Sequence, residues 1–174
     1  MATNKQINIS KAVVHINGVA LFGGVKEVTI EGVKAKMAEF VALGMSGTVE
    51  YAVGMEKMGL SMKLTSINDA TAGNFGDIYT SKAVQVRCNH VTNGSSGRLS
   101  EVPLVYKLTA TSKTAMAGLE MKPQEMAEFE VEMSVSEITV ELDNVEIFHF
   151  SALTDAHRVN GVTVNQVANN NVGI

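Results

Sequence analysis

Residues able to do chemistry are few in this chain, and their spacing is poor. Of the four histidines, His15, His90, His149 and His157, none stands at metal-ligand spacing from a second His, Cys or carboxylate. Ser151, Asp155 and His157 lie close enough in sequence to suggest a hydrolytic triad, but triads are assembled by geometry, so proximity along the chain carries little weight. Cys88 continues the apolar row Val84-Val86-Cys88, which predicts a small core residue; a nucleophilic thiol needs an accessible, electropositive niche. His90 extends the same row as a rim or satisfied histidine. Gly23-Gly24 and Gly44-Met45-Ser46-Gly47 lack the following Lys-Ser/Thr and the βαβ setting of a phosphate loop. No catalytic residue, metal or cofactor is expected.

What remains is charge and apolar pattern. The run 125–146 holds eight carboxylates and no base. Glu128, Glu130 and Glu132, with Glu137 and Glu141, alternate with apolar residues. They read either as the wet face of a sheet or as a functional acidic stripe, and no Asp/Asn-Gly loop supports calcium. Residues 1–124 carry 13 basic and 9 acidic groups, whereas 125–174 carry Arg158 against 9 acids. That polarity gives no basic face for nucleic acid, and it suits attraction between copies as well as pairing within one copy. A second anomaly is apolar: Met45, Met55 and Met58 lie in or beside the glycine loops marked by Gly44, Gly47 and Gly54. Loops run over surfaces and are normally polar. These residues are therefore candidates for an inter-subunit contact, the alternative being that the loop folds over its own sandwich edge.

The elements that position these residues are strands. A chain of 174 residues, 45% hydrophobic and 18% charged, is one folded domain spanning 1–174. No apolar run approaches the ~20 residues of a membrane helix, and no secretory signal opens the chain. With one cysteine, folding in a reducing cytoplasm is expected. Period-two alternation recurs from Val13 to Phe150. Asn17-Gly18 predicts a type I′ hairpin and Asp143-Asn144 another turn. The apolar parity flips between Val135 and Ile138, which predicts a β-bulge near Ser134–Glu137. Val145–Phe150 is apolar in both parities and should be covered on both faces. A short helix is expected within 68–82, with Asn68 or Asp69 as its cap, and a flexible loop over 112–124. The fold class is mainly β: two packed antiparallel sheets, a sandwich or partial barrel, with one short helix.

In order, Asn17-Gly18, Val25-x-x-Val28-Thr29-Ile30, Lys36, Glu39-Phe40, Gly44-Met45-x-Gly47, Gly54-Met55 and Leu60-x-Met62 form a sequence-wide signature. It closes on Asn160-Gly161-Val162 and, after an eight-residue spacer, Asn171-Val172-Gly173-Ile174. This signature resembles the tail tube proteins of contractile-tailed bacteriophages, the family that includes R-type pyocin tubes. The chain departs from it in having no basic residue between Thr163 and Asn170. The resemblance implies hexameric rings whose sheets join into one inner barrel, stacked as a hollow tube inside a sheath. In such a tube Glu128, Glu130, Glu132, Glu137 and Glu141 are expected to face the bore, where a negative wall lets DNA slide, the alternative being the outer wall against the sheath. Its implied partners are further copies, the sheath protein, baseplate initiator and tail terminator proteins, and the tape-measure protein and DNA passing through the lumen. It implies assembly in the host bacterial cytoplasm and residence in the virion tail. A pyocin-like injection device is the nearest alternative, and a small-ligand β-barrel carrier the alternative of another class.

Overall fold

A computed structural model describes residues 6–44, 46–66, 69–95, 97–115, 118–120 and 128–173. In chain order the strands begin with β1 (Gln6–Ile16), β2 (Val19–Ala20), β3 (Val25–Ile30), β4 (Ala35–Phe40), β5 (Val49–Met55) and β6 (Met58–Leu64). Helix α1 (Asp69–Gly76) precedes β7 (Lys82–Gly94), β8 (Gly97–Ser112), β9 (Gly118–Glu120) and β10 (Glu128–Leu142). Then come β11 (Val145–Ser151), β12 (Ala156–Val159), β13 (Val162–Thr163) and a second short helix, α2 (Gln166–Val172).

The turns follow from residues that tolerate positive φ. Asn17 and Gly18, at φ 49° and 82°, join β1 to β2; Asp143 and Asn144, at 52° and 63°, join β10 to β11. Both pairs have the left-handed geometry that matches strand twist in a two-residue hairpin.

One main sheet runs β13-β12-β11-β10-β8-β7-β1-β2. Strand β10 also belongs to a second layer. Its residues 129–135 pair with β6 and its residues 133–142 with β8, and the register slips between Val135 and Glu137. The bulge thus turns one strand out of one layer into the other and keeps its apolar residues inward on both sides of the slip. The second layer continues from β6 to β3.

Between the layers lies one core. The main sheet gives Val14, Ile16, Val84, Val86, Leu108 and Ala110; the second layer gives Met58, Leu60, Met62, Leu64, Val131 and Met133. Phe75 of α1 adds to it. Burying each of the larger side chains contributes about 1.5–3 kcal/mol. Strand β11 is covered only in its later half: Val145 is exposed, whereas His149, Phe150 and Ser151 are buried. Strands β4 and β5 pair with each other alone and form a separate two-stranded sheet.

Candidate assembly surfaces

The separate hairpin is the most exposed regular element, with every described residue of β4 and β5 open to solvent. Its register places Phe40 opposite Val49 and Ala38 opposite Tyr51, so these four share a face. The rings of Phe40 and Tyr51 meet edge to face, 6.3 Å between centroids. Glu39 faces Glu50 on the other side, beside the Met37–Ala52 pair. One face is largely apolar, with Lys36 at its base, and the other carries both glutamates. An isolated two-stranded hairpin is marginal in water, so such a face calls for a surface to lie on.

The glycine-loop residues divide accordingly. Gly44, at φ 92°, and Gly47 belong to the exposed connection between β4 and β5, and Gly54 and Met55 to the exposed end of β5. Met45 lies outside the described residues. Met58 corrects the expectation of an inter-subunit contact: it is 3% exposed and packs in the subunit's own core. It opens β6, whose even parity is the inward row Met58-Leu60-Met62-Leu64.

The acidic stripe is also divided. Glu128, Glu130 and Glu132 lie on the half of β10 that pairs with β6; Glu137 and Glu141 lie beyond the bulge, on the main-sheet half. Because the layers share one core, the faces pointing away from it are different surfaces of the molecule. Nor do the acids stand without bases. Glu128 pairs with Lys26, Glu130 is the register partner of Lys63, and Glu132 lies 3.8 Å from Lys113. Lys63 itself bonds Glu27 at 3.0 Å, and that bond holds its ammonium above the usual lysine range. On the main sheet, Lys107 reaches Glu141 at 2.5 Å, while Glu137 accepts from Thr109 at 3.3 Å and lies 3.9 Å from Nε2 of His149. These bases arrive from other segments of the chain, which the run 125–146 alone could not reveal.

Both ends of the main sheet are open. Strand β1 pairs with β7 along its length but with β2 only at His15 and Ile16, so its outer edge from Gln6 to Val13 has no strand beside it among the described residues. Ile7 and Ile9 are exposed there. At the far end, β13 is two residues long. Asn160 and Gly161, at φ 50° and 78°, form the turn before it, with Val159 and exposed Val162 opposed. Helix α2 follows and ends at Gly173 in the left-handed conformation, φ 80°, just past Asn171. Asn165 donates from Nδ2 to the Asp155 carboxylate at 3.1 Å, tying α2 to the turn before β12. Ile174 lies outside the described residues.

The triad residues do not meet. Ser151 pairs with Ala156 and Phe150 with His157, so Ser151 and His157 project to opposite faces of adjacent rungs. His157 instead packs edge to face on Phe148 and Phe150. Burial pushes the Cys88 thiol above its ordinary range. Among the described residues no group of three His, Cys, Asp or Glu gathers to hold a metal.

Chains of two solved assemblies match this one in structure. A chain of the sheath–tube complex of an extracellular contractile injection system, PVC, in its extended state superposes with a TM-score of 0.54 at 8% identity. That match covers 78% of this chain and 91% of that one. A chain of the anti-feeding prophage baseplate gives 0.47 at 8% identity, covering 81% and 94%. No curated protein sequence matches. The family model for phage tail tube protein FII matches residues 6–173. That span takes in the forked sheet, the projecting hairpin and the α2 terminus, and so the chain belongs to the phage tail tube protein FII family, as a structural subunit of a tail tube.

Proposed function

We propose that copies of this chain join their main sheets edge to edge, β1 of one copy against the β12–β13 end of the next, and so close a ring of six. Rings stack into a hollow tube inside a contractile sheath. The tube pierces the host envelope and conducts the genome. The observation carrying this reading is a sheet with an open edge at each end. Open edges template uncontrolled pairing unless they are covered or closed. A heterologous contact that closes on itself removes both edges, and closed rings stack.

In such a ring the face of the main sheet pointing away from the core lines the bore, and the outward face of the second layer meets the sheath. The β4–β5 hairpin lies between copies. Baseplate initiator and tail terminator proteins cap the tube, and the tape-measure protein and DNA occupy its lumen without specific binding. A phage-derived injection device would use the same subunit for another cargo, and capsid and terminase genes beside this one distinguish the two.

Purified protein is expected to form rings or tubes in negative stain without metal or nucleotide. A protein that stays monomeric by light scattering at high concentration, and does not grow on an initiator complex, overturns the proposal.

A further inference from the structure

Where the two layers part, between β1 and β3, they leave an apolar groove of about 970 Å³. Its floor is the inward face of the main sheet, including Val14, Val86 and Cys88. Phe22 stands at its lip, 86% exposed, a costly position for a large aromatic ring with no partner. The groove extends to Gly32 and Val33, the residues from which the β4–β5 hairpin departs.

We infer that this groove is the seat for the β4–β5 hairpin of a second copy, its Phe40–Tyr51 face turned inward. The inference rests on the reading that the hairpin lies between copies, and it names the surface that receives it. The subunit's own hairpin does not fill the groove: Phe40 and Tyr51 stay half exposed while the groove stands open. The two surfaces match in chemistry. The charged groups at the groove, Lys26 and Glu27, are already paired with Glu128 and Lys63, so an incoming segment needs no counter-charge. The face bearing Phe40, Val49, Ala38 and Tyr51 brings one charge, Lys36 at the base of the hairpin, whereas the Glu39–Glu50 face would bury two carboxylates and must stay outside.

Phe40, Val49 and Tyr51 on that face, with Val41 and Leu43 of the adjoining connection, are all large, apolar and exposed, the kind of surface that marks an interaction site. Donor and acceptor are different surfaces of one chain, so each copy gives a hairpin and receives one. A contact of that kind propagates as a ring or a rod, which is why the occupant is a second copy.

The test replaces Tyr51 by benzoylphenylalanine, irradiates assembled tubes and maps the crosslinks by mass spectrometry. The expected product joins Tyr51 of one copy to groove residues within 9–33 of another. In parallel, Ala12→Trp, an exposed position on the groove wall, fills the seat without touching the hairpin. It is expected to raise the critical concentration for assembly about tenfold or more, with the circular dichroism of the subunit unchanged. Crosslinks to a second copy at another surface overturn the groove and leave the hairpin contact standing. Crosslinks confined to one chain, or none between copies, overturn both. A small apolar molecule retained in the groove from monomer to tube, seen by native mass spectrometry, also overturns the inference.

Discussion

Glu39 and Glu50 stand directly opposite one another across the β4–β5 ladder. Like charges in that position destabilise a strand pair by roughly 0.2–1 kcal/mol, and this pair has no third strand to help it. On the proposed assembly, the hairpin gains its order from the second copy that its other face meets. Glu50→Lys converts the repulsion into a cross-strand ion pair on the face that stays wet. Tubes of this variant should form at an equal or lower critical concentration in sedimentation assays. Tyr51→Asp, one residue away on the apolar face, should prevent assembly while leaving the subunit folded. If Glu50→Lys is the variant that fails, the acidic face is the contact and the apolar one is not.

Met55 and Met58 offer a contrast across three residues. Met55 is 37% exposed on the hairpin, and Met58 is 3% exposed in the core. Met55→Asp should leave the subunit's melting temperature within a few degrees and weaken assembly. Met58→Asp places an unpaired carboxylate among apolar side chains and should cost about 4 kcal/mol or more, unfolding the subunit before assembly is reached. Thermal melts followed by electron microscopy separate the two. A destabilised Met55→Asp subunit would show that the hairpin supports the fold of its own chain.

The contrast also shows what the sequence carries. Local rules with local causes were legible: the Asn17-Gly18 and Asp143-Asn144 turns, the inward Met58–Leu64 row, and the parity flip that became the Val135–Glu137 slip. Period-two alternation states which side chains share a face but not which strand lies beside it. Hence β10 gave no sign that it serves two layers, and the weak alternation of 33–40 gave no sign that β4 and β5 leave the body. Met58 differs from its expected contact for the same reason, since a glycine loop and the strand after it look continuous in sequence. Helix α2 has no signal in the pattern because Gln-Val-Ala-Asn-Asn-Asn-Val has no apolar stripe, and Val167 is exposed. Only its stop residue, Gly173 in the left-handed conformation, marks it in the sequence.

Cys88 reports on both the fold and the groove. Burial raises its thiol above the ordinary value of 9.0. The folded state therefore holds that proton more tightly than the unfolded state does. The sign follows: stability from this group is complete below the unfolded pKa and is lost as pH rises through the folded one. Wild-type stability, measured by urea unfolding, should fall more between about pH 8 and 10 than that of Cys88→Ala. The thiol should also resist maleimide at neutral pH until the chain is unfolded. Equal slopes, or rapid labelling of the native subunit, would contradict the burial argument.

The five glutamates of β10 give the last test, because the bulge assigns them to two surfaces. If the outward face of the main sheet lines the bore, only Glu137 and Glu141 can meet passing DNA, and Glu128, Glu130 and Glu132 face the sheath. Glu141 is largely offset by Lys107, and Glu137 stands beside His149 and Thr109. Glu137→Gln with Glu141→Gln leaves Lys107 without its acid on every copy and turns a balanced wall basic. Phosphates would then be held as they pass. Release of DNA from assembled particles should slow severalfold. The defect should fade as salt shortens the screening length from about 10 Å at 0.1 M to about 3 Å at 1 M. Tubes and sheath contraction should persist. Glu128→Gln, Glu130→Gln and Glu132→Gln together remove three acids from the other layer, and should spare release while disturbing sheath attachment. Should the triple variant slow release while the double variant spares it, the second layer, not the main sheet, lines the lumen.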